Sequence, residues 1–258
     1  IMSDGVNKTM FVATSGVTGA TLRDFKANGN SAGQSSGWLL DTTNMNILTV
    51  ENVSFNDGKD GCVKAPGTSE WCMFRNVGAA FSPYGFSIGA QWYQFYDCTA
   101  TENVTEAWQL SGARDISLIN CASDQATGAA ERVHGFEIYN SSRISLFHCR
   151  AFGLTGTAKL KMGFHIYHDA IGTPMYSVRL QDCEVHNVDA ADGYAYVIQN
   201  IASCVTRGIH LEKCVHTGNG LQGLRTSMGA PLIQSSVRDC DFSHATTPVE
   251  YAYNPPGD

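Results

Sequence analysis

The chain repeats one short phrase, which reads QFYDC at 94–98, SLINC at 117–121 and SLFHC at 145–149. In each copy an apolar residue is followed, after a gap, by a polar or turn-type residue and then by cysteine. The phrase, with Cys, Val or Phe in last place, ends at nine positions: Phe25, Val53, Val77, Cys98, Cys121, Cys149, Cys183, Cys214 and Cys240. Nine equivalent positions in one chain indicate an internal repeat.

The length of the repeat selects the architecture. Successive markers lie 21 to 34 residues apart, with a mean of about 27. Helix-pair repeats take about 33–47 residues and propeller blades about 40 or more, whereas three short strands with three turns fit the shorter period. The variable interval indicates one turn per coil that accepts insertions. We therefore expect an all-β, single-stranded parallel β-helix of about nine coils, in one domain that spans residues 1–258.

A strand signal precedes each marker by 12 to 19 residues. It consists of a small residue, a large apolar one, a variable one and usually another apolar one, as in Gly135-Phe136-Glu137-Ile138. This period-2 alternation is typical of a half-buried strand. The large residues of the signal are Trp38, Cys62, Phe86, Trp108, Phe136 and Phe164. We expect the aromatic ones to stack in the core.

A tight bend is predicted immediately before each marker. The residues at this bend are Asp24, Asn52, Asn76, Asp97, Asn120, His148, Asp182, Lys213 and Asp239. Asn and Asp tolerate left-handed backbone angles, so they suit a repeated corner. This corner resembles the asparagine ladder of right-handed parallel β-helices of the pectate-lyase-like superfamily. Because the ends show no obvious cap, we expect a fragment or one protomer of a larger assembly.

Composition excludes several partner classes and sets an expectation for the cysteines. With 16% charged residues, a net charge of −7 and no basic run, nucleic acid and anionic membrane surfaces are poor partners. No apolar stretch is long enough to span a bilayer. The nine cysteines include no Cys-x-x-Cys pair, so we expect buried free thiols. Free thiols point to folding in a reducing compartment, such as a cytoplasm in which virions assemble.

The outward positions of the first strand form two predicted columns. The first column contains Leu39, Val63, Ser87, Gln109, Glu137, His165, Val197 and Arg225, and the second contains Asp41, Ala65, Gly89, Ser111, Tyr139, Tyr167, Gln199 and Ser227. Neighbouring coils lie about 4.8 Å apart. Glu137 should therefore face His165, and Tyr139 should lie beside Tyr167.

These columns predict a saccharide groove. The expected catalytic residues are Glu137, His165, Tyr139, Tyr167 and Asp169, because a carboxylate beside an imidazole can act as an acid–base pair and a tyrosine can transfer a proton. The expected substrate-binding residues are Arg132, Lys159, Lys161, Gln109 and His168. The alternative is an ordinary solvated strand face with cross-strand pairs.

We expect no metal site from the scattered histidines and no cofactor. Two aspartate turns, NDGKDG with Asp57 and Asp60 and DAADG with Asp189 and Asp192, leave weak calcium binding open.

Comparison with family motifs narrows the function. Polygalacturonases resemble this architecture, but their Asp-Asp, Gly-His-Gly and Arg-x-Lys set is missing here. Mannuronan C5-epimerases are similar in repeating a Gly-aromatic strand opener. Tyr84-Gly85-Phe86 matches the start of their Tyr-Gly-Phe-Asp-Pro-His motif, but Ser87 and Gly89 replace its Asp and His.

The chain looks most like bacteriophage tailspikes, with degenerate coils and free cysteines. That resemblance implies a homotrimer in the virion tail that binds, and often cleaves, a host surface polysaccharide by lyase or hydrolase chemistry. For hydrolysis, Glu137 would pair with Asp169 or Glu131. The alternatives are a non-catalytic receptor-binding or structural β-helix, and a secreted bacterial polysaccharide lyase or epimerase.

Overall fold

The chain winds into a right-handed parallel β-helix in the computed structural model, as the repeat predicts. The structure describes residues 10–12, 16–29, 32, 35–125, 133–153, 160–189, 193–201 and 203–253. Within these ranges the regular structure is strand, and no α-helix occurs. Equivalent strands of successive coils pair in parallel, because each coil advances the chain by one strand spacing.

The first sheet takes one strand from each successive coil, in sequential order. Its strands are β1 (Phe11–Val12), β4 (Trp38–Asp41), β7 (Gly61–Ala65), β9 (Tyr84–Ile88), β12 (Glu106–Ser111), β15 (Val133–Tyr139), β18 (Leu160–His168), β21 (Tyr194–Asn200), β24 (Gln222–Met228) and β27 (Thr247–Tyr253). The number of coils in the whole protein stays a prediction.

The remaining strands form the other two faces of the helix. The second face contains β2 (Val17–Thr18), β5 (Met45–Asn46), β10 (Gln91–Tyr96), β13 (Arg114–Ile119), β16 (Ser142–Phe147), β19 (Met175–Gln181), β22 (Thr206–Glu212), β25 (Leu232–Ile233) and β26 (Ser236–Arg238). The third face contains β11 (Thr99–Thr101), β14 (Ala122–Gln125), β17 (Arg150–Gly153), β20 (Glu184–His186) and β23 (Val215–Thr217). Three long strands run through both faces: β3 (Thr21–Asn28), β6 (Thr49–Asn56) and β8 (Glu70–Ala80).

An aromatic stack fills the core behind the first sheet. Phe86 stacks on Trp108 with ring centroids 4.0 Å apart, and Phe136 stacks on Phe164 at 4.7 Å. Phe164 in turn stacks on Tyr196 at 5.3 Å. All five rings are almost completely buried, so the predicted inward ladder is confirmed from β9 onward. Offset stacking of this kind adds to the gain from apolar burial.

The register of the first coils differs from the sequence prediction by one residue. Val63, not Cys62, pairs with Phe86. The ring of Trp38 covers Gly61, where an added Cβ would lie 2.3 Å from the indole. Trp38 therefore lies on the outer face of the first sheet and stacks on Tyr84, with ring centroids 6.0 Å apart, outside the core ladder.

This shift changes the predicted outward columns at their start. Leu39, Val63 and Ala65 are buried and face inward, so their prediction as outward residues is wrong. Lys64 takes the outward place that pairs with Ser87, and Asp41 pairs with Lys64. From Ser87 onward, the residues predicted for the first column pair with one another in the structure as predicted.

A left-handed residue makes the corner between the second and third faces in every coil where it was predicted. The φ angles at these positions lie between 51° and 59°: Asp24, Asn52, Asn76, Asp97, Asn120, His148, Asp182, Lys213 and Asp239. The side chains of this corner also bond along the axis, since Asn52 Nδ2 donates to Asp24 Oδ1 at 3.0 Å and Asn76 Nδ2 donates to Asn52 Oδ1 at 2.9 Å. The ladder is exposed to solvent.

Lys213 is the corner residue whose type suits the left-handed region least, so replacing it should stabilise the protein. We expect Lys213→Asn to raise the free energy of unfolding by about 0.5–1 kcal/mol, because Asn visits this region at lower cost. Lys26→Asn, at an exposed position inside β3, is the matched control and should be neutral or destabilising. Equal effects of the two changes in urea unfolding would contradict the assignment of the corner.

The nine cysteines are free, and eight of them are buried. The six cysteines of the repeat form one inward column in which each thiol contacts that of the next coil. Burial raises the pKa of the Cys98 and Cys121 thiols of this column, and it raises the pKa of the Cys62 thiol, outside the column, to about 11. Buried protonated thiols behave as small hydrophobic side chains and react slowly.

Because eight of the cysteines are buried, we predict that they react slowly with thiol reagents in the native protein. In the native protein a thiol reagent such as DTNB should label at most one cysteine, the half-buried Cys240, and Cys240→Ser should abolish labelling. In guanidinium all nine cysteines should react, with or without prior reduction. Rapid labelling of several cysteines under native conditions would contradict the inward column.

No helix in the described part of the chain is long and apolar enough to cross a membrane.

Candidate functional site on the first sheet

A shared irregularity of the first-sheet strands decides which side chains face outward. In β15, Gly135 and Phe136 both face the core, and a Cβ added to Gly135 would lie 2.9 Å from the Cβ of Ala151. Two inward positions in succession interrupt the alternation. The outward side chains before and after them are therefore three residues apart, at His134 and Glu137.

Four titratable side chains from three neighbouring strands meet on this face: Glu106, His134, Glu137 and His165. His134 Nδ1 lies 3.7 Å from Glu106 Oε1 and 3.7 Å from Glu137 Oε1. His165 Nδ1 lies 3.7 Å from the same Oε1 of Glu137. The backbone register produces this arrangement, because Glu106 pairs with His134 and Glu137 pairs with His165. The predicted contact between Glu137 and His165 is confirmed.

The four side chains are largely shielded from solvent, with side-chain exposures between 8% for His165 and 22% for His134. Within the described residues, both ring nitrogens of His165, His134 Nδ1 and Glu106 Oε2 are buried without a hydrogen-bond partner. Leaving a buried polar atom unpaired costs about 1–3 kcal/mol, so such groups call for an explanation. The cluster thus brings four such buried, unpaired polar atoms together on this face.

The two carboxylates differ in electrostatic environment. Burial raises the pKa of Glu106 to about 7, and the neighbouring charge of Glu137 adds to the effect. Burial also favours the neutral form of Glu137, but contacts with His134, His165 and Gln109 outweigh it and lower the pKa of Glu137 below its usual range. One carboxyl group is therefore disposed to hold a proton and the other to be ionised, the pattern of acid and base pairs in active sites.

Gln109 fixes the orientation of Glu137. Its Nε2 donates to Glu137 Oε2 at 3.2 Å, and its Oε1 accepts a hydrogen bond from Ser87 Oγ at 3.1 Å. The three residues occupy the same outward column in β9, β12 and β15. Gln109 was predicted to bind substrate; the structure places it beside the carboxylate, and its contact with substrate stays a prediction.

Tyr139 and Tyr167 stack beside the cluster, with ring centroids 5.4 Å apart, and the ring of His165 stacks on Tyr167 at 5.6 Å. The predicted position of Tyr139 beside Tyr167 is confirmed. Asp169 lies at the far end, where its carboxylate accepts hydrogen bonds from Tyr139 OH at 2.9 Å and Asn140 Nδ2 at 2.8 Å. Those bonds lower the pKa of Asp169, with that from Asn140 acting most strongly.

His168 does not reach this face, so its predicted contact with substrate is wrong. It is 1% exposed, and its ring nitrogens contact Thr206 Oγ1 at 2.7 Å and the Thr173 carbonyl at 2.9 Å. The alternation after His165 explains this, because His168 follows the outward Tyr167 and returns to the interior. Lys161 is half-buried at an irregularity between β15 and β18.

Arg132, Lys159 and Glu131 lie outside the described residues.

Three of the clustered side chains could hold a metal ion. His134, Glu137 and His165 each offer one ligand atom, and these atoms lie within 4.8 Å of one another. The aspartate turns give less support to calcium. Asp60 Oδ2 accepts a hydrogen bond from the Gly37 amide at 2.7 Å, which links two neighbouring coils, and Asp192 lies outside the described residues. Calcium binding stays a prediction.

The sequence interpretation missed Glu106 and His134. It assigned outward positions by strict alternation from the aromatic residue, which places 106 and 134 inside. The signal was present, however, in the small residue before each aromatic, as in Ala107-Trp108 and Gly135-Phe136. A repeated small residue there indicates a second inward position, where a larger side chain would collide with the next coil.

Solved structures share this fold. The A-module of the Azotobacter vinelandii mannuronan C-5 epimerase AlgE6 superposes with a TM-score of 0.56 at 11% identity, covering 99% of this chain and 80% of that one. The Streptococcus pneumoniae surface protein and adhesin PfbA superposes at 0.57 with 7% identity, covering 92% and 67%. The tailspike gp49 of Pseudomonas phage LKA1 gives only 0.29 at 12% identity, with 93% and 49% covered.

At these identities the likeness is one of fold alone. No protein-family model matches the chain, and no curated protein matches it in sequence.

The small residues that precede the aromatic residues of the first sheet form a column, which we call the small-residue column. Adding one methyl group to this column tests how closely the coils approach. A Cβ at Gly163 would lie 2.5 Å from Val185 Cγ2 and 2.6 Å from the Ala195 carbonyl. We expect Gly163→Ala to lower the free energy of unfolding by about 1–3 kcal/mol. Gly78→Ala, whose Cβ would lie 3.7 Å from Ser54 Oγ, is the matched control and should be nearly neutral. Equal stability of both variants in urea unfolding would contradict the close approach.

Proposed function

We propose that the outer face of the first sheet binds a polysaccharide along the helix axis and that the Glu106, His134, Glu137 and His165 cluster cleaves it. The observation that carries this proposal is the meeting of two carboxylates and two imidazoles on one face, beside a tyrosine pair. Structural ion pairs rarely leave several buried polar atoms unpartnered, whereas a site that waits for a ligand does.

The substrate class follows from the shape and chemistry of the face. Columns of side chains that repeat along a straight axis suit a linear polymer, and tyrosine edges and faces suit the apolar side of a sugar ring. The mannuronan epimerase that shares the fold provides a precedent for a polysaccharide on this scaffold. We expect an acidic or neutral glycan to lie across Tyr139 and Tyr167. Its next part would contact His165, which is the member of the cluster that stacks on Tyr167.

The roles within the cluster follow from position. Glu106 lies at the edge of the cluster, where its carboxyl group can donate a proton to the glycosidic oxygen or accept one from the sugar. Glu137 is held by Gln109 and two imidazoles, so it acts as the fixed negative charge that orients both rings. Tyr139 and Tyr167 bind the sugar, and Asp169 positions Tyr139.

The setting that we propose is a homotrimeric phage tailspike that recognises a bacterial surface polysaccharide. Its support is the sequence resemblance and the column of buried free thiols, which suits a protein folded in a reducing cytoplasm. A secreted bacterial lyase or epimerase is the second setting.

The test is incubation with a panel of capsular and alginate-type polysaccharides, following absorbance near 232 nm and reducing ends together. Unsaturated product identifies a lyase, and reducing ends alone identify a hydrolase. Glu106→Gln should lower turnover by about 100-fold or more with binding retained, because it removes an acid–base group. Glu212→Gln, at the ion pair with Arg179 on the second face, is the matched control and should keep full activity.

Full activity of Glu106→Gln would overturn the catalytic assignment. Retained binding without any cleavage, in the wild-type protein and across the panel, would instead support the alternative of a receptor-binding β-helix. Absence of both would contradict the proposed function.

A further inference from the structure

The same cluster has the composition of a transition-metal site, which the proposed function does not require. His134 and Glu137 come from β15, three residues apart, and His165 comes from the next coil. Two imidazoles and one carboxylate are the protein ligands of one class of catalytic zinc sites. Two nitrogen ligands also disfavour magnesium and calcium, which prefer oxygen.

The spacing of the ligand atoms suits one small cation. The Oε1 atom of Glu137 lies 3.7 Å from Nδ1 of His134 and 3.7 Å from Nδ1 of His165, and the whole set spans no more than 4.8 Å. Zinc bonds of about 2.0–2.2 Å place tetrahedral ligands about 3.3 Å apart. The two Glu137–imidazole distances would then shorten by a few tenths of an ångström on binding, and the two imidazole ligand atoms would approach by up to about 1.5 Å.

An independent observation points to a ligand at this place. His165 is 6% exposed, and within the described residues neither of its ring nitrogens has a hydrogen-bond partner. A buried imidazole of this kind is costly unless something binds it. His134 Nδ1 is unpartnered in the same way and is aimed at the same carboxylate oxygen.

The residues around the three ligands orient the carboxylate and border one further position. Gln109 Nε2 donates to Glu137 Oε2, which orients the carboxylate so that its other oxygen points to both rings. Hydrogen bonds of this type hold metal-binding carboxylates in place. Glu106 Oε1 lies 3.7 Å from His134 Nδ1, so its carboxylate borders the position that three protein ligands leave open.

We propose that His134, Glu137 and His165 bind a Zn²⁺ ion, with the fourth position facing Glu106 and open to water or substrate. The imidazoles bind in their neutral form and Glu137 as the carboxylate. Binding is an exchange of ligands that changes no oxidation state.

The test is titration of the purified, chelator-treated protein with zinc chloride in a calorimeter, without polysaccharide. We expect one site per chain that magnesium and calcium chloride do not occupy. His165→Ala should weaken zinc binding by more than about 100-fold, since loss of a ligand costs more than the 10- to 100-fold of an outer-shell partner. Gln109→Ala should weaken it by about 10-fold.

Matched controls separate this site from other zinc-binding groups. His210→Ala removes a histidine that bonds Ser236 on the second face, and Gln94→Ala removes a glutamine of that face. Both should bind zinc like the wild-type protein. Every variant keeps the nine cysteines, so binding by thiols would be the same in all of them. Circular dichroism checks that each variant is folded.

Cobalt chloride gives a second readout. A cobalt ion at a tetrahedral site shows visible absorbance, which His134→Ala should lose. Absence of zinc binding by the wild-type protein overturns the proposal. Equal affinity in His165→Ala also overturns it, because it means an adventitious ion only. Polysaccharide cleavage without zinc binding would leave the proposed function standing, whereas zinc binding without any polysaccharide binding would remove the proposed function and keep the metal site.

Discussion

Parallel hydrogen bonding between equivalent strands is the constraint on which the rest of this structure depends. Because each coil pairs in register with the next, a residue and its equivalent about 27 residues later become neighbours. Every column in the protein follows from this pairing: the aromatic stack, the thiols, the left-handed corner and the clustered acids and bases. The sequence distance between Glu106 and His165 therefore says nothing of their separation in space, which the register alone decides.

The corner and the small-residue column are the two local conditions that keep this register. A left-handed residue at each corner turns the chain without a glycine, at a cost that is lower for Asn and Asp than for most other residues. Several of these side chains also bond along the axis. The small residue before each aromatic allows the coils to approach closely. It also places two side chains of β15, His134 and Glu137, on the outside together. Packing in the core thus determines the chemistry on the surface.

Much of the fold could be predicted from the sequence, because repeats reveal a position many times over. All nine corner residues and the thiol column were identified from one phrase, since each coil gives an independent example. The first coils were less predictable. Gly61 matches the small residue of the strand signal in sequence, yet it lies under the ring of Trp38, so Cys62 takes the inward small position and the register moves by one.

The candidate site was only half predictable. The pairing of Glu137 with His165 and of Tyr139 with Tyr167 follows from alternation and the repeat, but Glu106 and His134 do not, because the alternation breaks at the small residue. His168 shows the opposite error, since a polar side chain was assumed to face solvent although Thr206 and the Thr173 carbonyl satisfy it inside. Polar character alone does not decide on which side of a strand a residue lies.

The distance between His165 Nδ1 and the Glu137 carboxylate in a crystal structure of the protein tests the in-register pairing most directly. In-register coils predict a value close to 3.7 Å, with His134 on the other side of the same carboxylate. A separation of about 8 Å or more, which a shift of one residue in either strand would produce by turning one side chain inward, would contradict it.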